Sequence, residues 1–322
     1  MTNVIVAIKL TSVDIVTDPL YSLEKCGIVN REMSSILVTG ASGNVGREVV
    51  KALVQANISV RATLYRSGED ERYSSSAVEY VPFDFGDSRT FPAAFNEVSS
   101  LFLMRPPPIA DVERYIQPLI EYAAGIGVRH IVFLSLLGAG KNTFVPHARV
   151  EALIRSSGVD YTFLRCGFFM QNLDTIHRED VVEHDDLFIP AGLGKTAFID
   201  TRDIGEVAAR ILTESGHENK AYILTGDEAL TYDEVAAIMT EVLGRKITYS
   251  NPSLLAFARR MRSRGHPWGY IGVMAGIYLS TRRGRSAEVS PAAGELLGRP
   301  PTTLREYVSD YAAAWSKSQT IG

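Results

Sequence analysis

The sequence ILVTGASGNVG, residues 36–46, contains a glycine-rich turn between an apolar run and a segment with helical apolar spacing. The apolar residues before Thr39 predict a buried strand, and those after the turn predict a helix. Gly40 permits the tight turn, Gly43 lets the backbone approach a pyrophosphate, and Gly46 lets the helix pack close to the sheet. The unpaired N–H groups at the helix start can bind phosphate. The predicted cofactor contacts here are Gly40, Ser42, Gly43, Asn44, Val45 and Gly46.

Short β-rich runs and helical patterns continue to alternate after this turn. Predicted strands follow at 58–65, 78–83, 101–104, 129–134, 161–164 and 222–224, and predicted helices at 44–55, 109–124, 147–156 and 204–213. Apolar runs of this length, separated by helices, are typical of a parallel sheet that is covered on both faces. With right-handed crossovers, the pattern predicts an α/β fold with a doubly wound parallel sheet.

The pattern divides the chain into three parts. Residues 1–32 precede the first strand, and we expect either a loosely packed extension or the product of an upstream start codon. Residues 33–225 form the predicted dinucleotide-binding Rossmann domain, of which 167–200 contribute to the substrate cleft. Residues 226–322 are mostly helical and form a smaller lobe on the substrate side.

Composition narrows the possible partners and location. The formal net charge of −4 offers no broad basic surface to nucleic acid. The apolar run Trp268–Leu279 is far shorter than the roughly 20 residues that span a bilayer, so no membrane partner is expected. Cys26 and Cys166 lack disulfide or zinc spacing, which predicts a reducing, cytoplasmic location. The acids and histidines at 177–186 lack ligand spacing, so a solvated loop is predicted and no metal site.

The end of the second predicted strand indicates which nucleotide binds. NAD-preferring sites place an acid there, about 20 residues beyond the glycine turn. Here Arg66 occupies the strand end and no acid occurs before Glu69. A guanidinium matches the geometry of a 2′-phosphate, which predicts NADP(H), although an ordinary surface arginine is the alternative. After the third strand, Asp84 and Phe85 are predicted to contact the adenine.

Three further stretches extend this pattern into a resemblance. Residues 127–135 read GVRHIVFLS, residues 158–172 read GVDYTFLRCGFFMQN, and residues 198–205 read FIDTRDIG. Together with the glycine turn they resemble the NmrA-like group of atypical short-chain dehydrogenase/reductases, over about residues 34–316. The chain departs at Cys166, where relatives commonly have proline. The group contains quinone reductases, azo and triphenylmethane dye reductases and NADP-sensing regulators, so the resemblance implies the fold and the nucleotide but not one reaction.

The tyrosine–lysine pair of ordinary short-chain dehydrogenases does not occur in the helix that follows the fifth predicted strand. Those enzymes use a serine with Tyr-x-x-x-Lys, and only Tyr21 and Lys25 have that spacing, ahead of the glycine turn. Counting on from Ser135, the next helix places His147 near the tyrosine position and Glu151 one turn later. This pair could orient a proton donor, which makes His147 and Ser135 the candidate catalytic residues. The slightly favoured interpretation is a surface i,i+4 pair at a helix start.

An aromatic run follows the sixth strand at its carboxyl end, where ligands bind in such sheets. The loop at 104–108 faces the same crevice, and its prolines make it rigid. The predicted substrate contacts are Pro106, Phe168, Phe169 and Met170, and the predicted cofactor contacts in the loop are Met104 and Arg105. Because apolar periodicity does not distinguish residues that line a pocket from residues that fill the core, a core role for the aromatic run stays open.

Two functional hypotheses follow from these observations. The first is an NADPH-dependent reductase that passes hydride directly to a quinone-like or azo acceptor, with solvent supplying the proton. The second is a non-enzymatic NADP(H)-sensing regulator that acts through a protein partner. A large aromatic pocket favours the reductase, whereas a filled pocket with an exposed apolar patch favours the sensor. The oligomeric state stays open, a homo-oligomer included.

Overall fold

The computed structural model of the chain describes residues 35–64, 75–143 and 145–317. Its strands are β1 (Ser35–Val38), β2 (Val60–Leu64), β3 (Val78–Pro82), β4 (Val98–Leu103), β5 (His130–Leu136), β6 (Asp160–Cys166), β7 (Phe168–Phe169), β8 (Asp186–Leu187), β9 (Thr196–Ile199), β10 (Lys220–Leu224), β11 (Ala229–Leu230) and β12 (Thr248–Tyr249). Its α-helices are α1 (Asn44–Gln55), α2 (Phe91–Ala94), α3 (Val112–Tyr115), α4 (Gln117–Gly125), α5 (Pro146–Ser156), α6 (Arg178–His184), α7 (Thr201–Thr213), α8 (Tyr232–Leu243), α9 (Leu254–Ser263), α10 (Trp268–Arg282), α11 (Ala292–Leu297) and α12 (Leu304–Asp310).

Seven parallel strands form the central sheet in the order β10-β6-β5-β4-β1-β2-β3. The chain runs outward from β1 to β3 and then returns through β4 to the other side. This arrangement confirms the predicted doubly wound parallel sheet. The order reverses between β1 and β4, and the crevice beyond their carboxyl ends is where such sheets bind ligands.

Apolar side chains that point alternately to the two faces of the sheet form a core on each face. In β5, Val132 and Leu134 pack with α1, α7 and α11, whereas Ile131 and Phe133 pack with the helices between β3 and β6. Neighbouring side chains of a strand point to opposite faces, so continuous apolar strands are needed to fill both.

A third core lies beyond the sheet. It joins Met170, Leu187 and Phe198 to side chains from α8, α9, α10 and α12, including Tyr278. Segments from residues 167–200 therefore share one apolar cluster with the C-terminal helices, while α11 packs on the sheet. The division at residue 226 stays a prediction.

The predicted helix at 109–124 is wrong in one respect, because two helices, α3 and α4, occupy this stretch. Pro118 is the second residue of α4. In a continuous helix its ring would clash with the carbonyl of Arg114 and its missing N–H would remove a hydrogen bond.

No helix in the described ranges is long and apolar enough to cross a membrane. The predicted extension 1–32 and Arg66 lie outside the described residues.

Candidate functional site

The glycine turn has the backbone geometry that its sequence predicts. Gly40 has a φ of +65°, in the left-handed region that favours glycine, and its carbonyl accepts a hydrogen bond from the Gly43 N–H at 2.9 Å. A Cβ at Gly46 would lie 2.2 Å from the Gly40 oxygen, so a side chain there would displace the turn. No side chain caps α1 within the part of the chain that the structure describes. The free N–H groups of its first turn therefore face the crevice, as an anion site requires.

Hydrogen bonds from two threonines join this turn to the neighbouring strands. The Thr39 hydroxyl donates to the Phe102 carbonyl at 3.1 Å and accepts from the Met104 N–H at 2.8 Å. The Gly40 N–H donates to the Thr63 hydroxyl at 3.1 Å. The contacts with Thr39 place Met104 against Gly40, where a Cβ would lie 1.9 Å from the Met104 methyl carbon. Sequence reasoning did not single out either threonine as a site residue, although both occur at strand ends beside the turn.

Two predicted adenine contacts lie at the end of β3, on the same edge of the sheet. Asp84 is half-buried, and its Oδ1 accepts from the Gly86 N–H at 2.7 Å. The half-buried ring of Phe85 packs edge-to-face on Phe83 with 4.9 Å between centroids. One carboxylate oxygen thus orders a tight turn, and Phe85 presents an apolar surface beside it. A direct contact of either residue with adenine stays a prediction.

Arg105 follows β4 and folds back on its own loop. Its Nη1 donates to the carbonyls of Pro106 at 2.9 Å and Pro107 at 3.3 Å, and also to Ile109. Burial lowers the pKa of this guanidinium, and its Nε has no hydrogen-bond partner among the described residues. Arg105 therefore orders the proline loop and keeps one buried donor unused.

The structure does not support Ser135 as a catalytic residue. Its side chain is buried, and its hydroxyl donates to Glu151 Oε1 at 2.7 Å. Glu151 also accepts hydrogen bonds from Arg165, at 3.0 Å to Oε1 and 2.6 Å to Oε2. Burial opposes ionisation of Glu151, but the hydrogen bonds from Arg165 and Ser135 outweigh it, so the pKa of this carboxyl lies below its ordinary value. We therefore do not retain Ser135 as a candidate.

The interpretation of His147 and Glu151 as a surface pair is wrong. Glu151 is 1% exposed, because its partner Arg165 points to it from inside the sheet. Arg165 was missed in the sequence, although a charged residue in an otherwise apolar strand requires a buried partner. That partner, Glu151, lies on α5, the helix directly before β6 in the chain.

His147 lies at the second position of α5 and is largely buried. Burial lowers its pKa to about 4, the nearby Arg105 acts in the same direction, and Glu151 opposes both. Its Nδ1 has no hydrogen-bond partner in the described ranges. With this pKa, roughly one molecule in 10³ carries a protonated His147 at pH 7. Since a neutral imidazole is a poor general acid, His147 is a poor proton donor at neutral pH.

The aromatic run lies between two cores. Phe168 is half-buried and packs edge-to-face on Phe198 with 5.7 Å between centroids. Phe169 is also half-buried and packs against the sheet core, whereas Met170 is buried in the third core. The two phenylalanines are thus partly exposed just beyond the carboxyl end of β6, whereas Met170 is buried.

The predicted solvated loop at 177–186 is also wrong. His177 is buried beside α10, and its Nε2 shares a hydrogen bond of 2.5 Å with the Tyr278 hydroxyl. Asp186 is buried too, and its Oδ1 accepts from the Ser250 N–H at 3.0 Å. Each group thus has a structural partner. The described residues contain no group of three or more His, Cys, Asp or Glu side chains that could hold a metal ion.

A doubly wound sheet with a glycine turn at its switch point defines the Rossmann-type dinucleotide-binding class of folds. Within that class, the chain matches the NmrA-like family over residues 32–308. The chain belongs to the NmrA-like family, which confirms the predicted family.

The chain resembles named reductases over almost their whole length. It is 32% identical to an NAD(P)H azoreductase from Xenophilus azovorans over 284 residues, which cover 87% of this chain and 99% of the relative. It is 30% identical to quinone oxidoreductase 2 from Escherichia coli strain K12 over 279 residues, 85% of this chain and 97% of the relative. A crystal structure of an NADPH-dependent quinone oxidoreductase from E. coli, complexed with NADPH, superposes with a TM-score of 0.78 at 29% identity and covers 86% of this chain and 99% of that one.

Proposed function

We propose that this chain is an NADPH-dependent oxidoreductase that transfers hydride to a quinone-like or azo acceptor. The observation that carries the proposal is its similarity to an NAD(P)H azoreductase over 99% of that enzyme's length. The glycine turn supports it independently, because the turn presents free helix N–H groups at the switch point of the sheet.

The residues of the crevice fit a dinucleotide. The backbone of residues 40–46 would hold the pyrophosphate, Met104 offers apolar surface beside the turn, and Phe85 offers apolar surface at the end of β3. The preference for NADPH rests on Arg66 in the sequence. When bound, the nicotinamide supplies the hydride.

The chain's own residues contribute position more than proton transfer. Neutral His147 is a poor proton donor at pH 7, and the carboxylate of Glu151 is bound by Arg165. The exposed surfaces of Phe168 and Phe169 would stack the acceptor, and solvent would supply its proton. Holding two reactants in contact can accelerate a reaction by several orders of magnitude without a general acid.

The test is NADPH oxidation against a panel of quinones and azo dyes. We expect Phe168→Ala or Phe169→Ala to reduce turnover more than His147→Gln does, with kcat independent of His147 ionisation between about pH 5.5 and 8. Phe188→Ala, which removes a half-buried phenylalanine from the third core, controls for general loss of packing.

A loss of about 10²–10⁴-fold in His147→Gln would assign proton donation to His147 and refute the solvent-proton mechanism while keeping the enzyme. Failure of every acceptor to oxidise NADPH would refute the proposed reaction.

Two observations favour the NADP(H)-sensing regulator as a second candidate. Met170 is buried in the third core, and α9 and α10 expose large apolar side chains. The sensor requires a protein partner that distinguishes the NADP⁺-loaded from the empty form. Capture of one defined partner by only one form, in a protein that oxidises no NADPH, would favour the sensor over the reductase.

A further inference from the structure

Positive charge is concentrated in one segment of this acidic chain. Residues 242–287 contain nine Lys and Arg and no Asp or Glu, whereas the whole chain has 33 basic and 37 acidic residues. The segment includes α9 and α10, which pack against each other and are joined by four residues, Arg264–Pro267. We call α9, α10 and their connection the basic hairpin. Three of the nine form ion pairs with acids outside the segment, namely Arg245, Arg260 and Arg264. The others leave a local excess of positive charge on a protein whose net charge is negative.

The basic hairpin exposes large apolar side chains. Trp268 is 65% exposed, Val273 63% and Leu255 61%, while Ile277 is 38% exposed. Met274 and Tyr278 of α10 are buried in the third core. Single exposed apolar side chains are normal on a protein surface, but a cluster of them on two adjacent helices indicates a contact surface.

Two arginines of α9 lie on the same exposed face as Leu255. Leu255, Arg259 and Arg262 are at positions i, i+4 and i+7 of α9 and are all exposed, so they share one side of the helix. Among the described residues, five exposed arginines of this segment form no ion pair: Arg259, Arg262, Arg282, Arg283 and Arg285. In contrast, Arg260 and Arg264 are bound to Asp180 and hold the hairpin on the fold.

We propose that the basic hairpin docks on an anionic lipid surface. Helix α10 exposes Trp268, Val273 and Ile277, ends at Arg282, and is too short at 15 residues to cross a bilayer. Exposed apolar side chains together with unpaired arginines suit contact with the interface of an anionic membrane. Charge complementarity selects an anionic surface over a second copy of the chain, because pairing two hairpins would bring unpaired arginines together. The proposal departs from the expectation of no membrane partner, which rested on the length of the apolar run.

Trp268 gives a direct signal for the test, because the chain has two tryptophans and the other, Trp315, is 1% exposed. Vesicles of phosphatidylcholine with about 30% phosphatidylglycerol should shift Trp268 emission to shorter wavelength and sediment the protein. Phosphatidylcholine vesicles alone should do neither. Raising salt from about 0.1 to about 0.5 M should release the protein, because screening weakens the arginine contacts. Trp268→Phe should remove the spectral shift. None of these readouts depends on reductase activity.

Matched variants separate the two components of the surface. Arg259→Gln with Arg262→Gln should weaken vesicle partitioning about 30-fold, which corresponds to about 1 kcal/mol for each arginine. Val273→Ser should weaken it too. Arg89→Gln with Arg129→Gln removes two exposed arginines elsewhere, and Ile126→Ser removes an exposed apolar side chain elsewhere; these controls should bind as the parent does.

Equal binding to neutral and anionic vesicles, or no binding to either, would overturn the proposal. A concentration-dependent dimer in sedimentation velocity that Val273→Ser abolishes, without vesicle binding, would assign the surface to a second copy of the chain. Binding to an acidic polypeptide but not to anionic vesicles would assign it to a protein partner.

Discussion

Replacing Gly46 with alanine tests whether close packing of the glycine turn controls nucleotide binding. The added Cβ would lie 2.2 Å from the Gly40 oxygen and 2.7 Å from its carbonyl carbon, so the backbone of the turn must move. The same oxygen accepts the Gly43 N–H, and losing that hydrogen bond costs about 1 kcal/mol. Overpacking adds about 1–3 kcal/mol. If the whole cost of about 2–4 kcal/mol appears as weaker nucleotide binding, NADPH affinity should decrease about 30- to 10³-fold.

The measurement is NADPH titration calorimetry together with urea unfolding of the unliganded protein. Gly125→Ala is the matched control, because no atom lies within 4 Å of its added Cβ and its φ is ordinary. That variant should bind NADPH as the parent does, with stability unchanged or raised by up to about 1 kcal/mol. Parental NADPH affinity in Gly46→Ala, or the same loss in both variants, would refute the assignment of the turn as the nucleotide site.

Three further predictions use separate parts of the chain. Arg66→Ala should weaken NADPH at least about tenfold and leave NADH nearly unchanged in titration calorimetry, and an equal loss for both would reject the 2′-phosphate contact. A chain that begins at Met33 should keep the melting temperature and NADPH affinity of the full chain, whereas a fall of many degrees would place residues 1–32 in the fold. Burial lowers the pKa of His177 to about 4, so the unfolded state takes up the proton first and stability falls as the pH drops from about 6.5 to about 4. Between about pH 7.5 and pH 5, the free energy of unfolding measured in urea should therefore fall by about 2 kcal/mol less in His177→Gln than in the parent. The control His184→Gln, which changes an exposed histidine, should show the pH dependence of the parent. The parent's pH dependence in His177→Gln would contradict a buried neutral histidine.

The fold could be predicted from local signals because its strands are apolar on both faces and its helices begin at clear boundaries. The predicted bounds of α1, residues 44–55, agree with the structure, since Gly43 ends the turn directly before it. The break between α3 and α4 was missed, although Pro118 marks it. The apolar spacing predicted one helix, but Pro118 lacks a backbone N–H and its ring prevents a continuous helix at this point.

The site was harder to predict because its side chains depend on contacts between distant segments. Glu151 reads as a surface residue by its helical spacing, and only its contact with Arg165 on β6 shows why it is buried. His177 reads as part of a polar loop, yet it is bonded to Tyr278, a residue 101 positions further along the chain. Spacing along the sequence reports which face of an element a residue occupies, but not which charged or polar partner meets it there.

Counting along the sequence predicts that Ser135 and Glu151 correspond to the serine and lysine of ordinary short-chain dehydrogenases, and in this structure both have structural partners. Glu151 accepts hydrogen bonds from Ser135 and from Arg165, which join α5 to β5 and β6. A lysine in place of Glu151 would put a second cation beside Arg165 without a carboxylate between them, which a buried site disfavours by several kcal/mol. The tyrosine–lysine proton relay is therefore incompatible with this corner of the fold while Arg165 is present. An acceptor that takes its proton from water after hydride transfer does not need that relay, and quinones and azo compounds are acceptors of this kind.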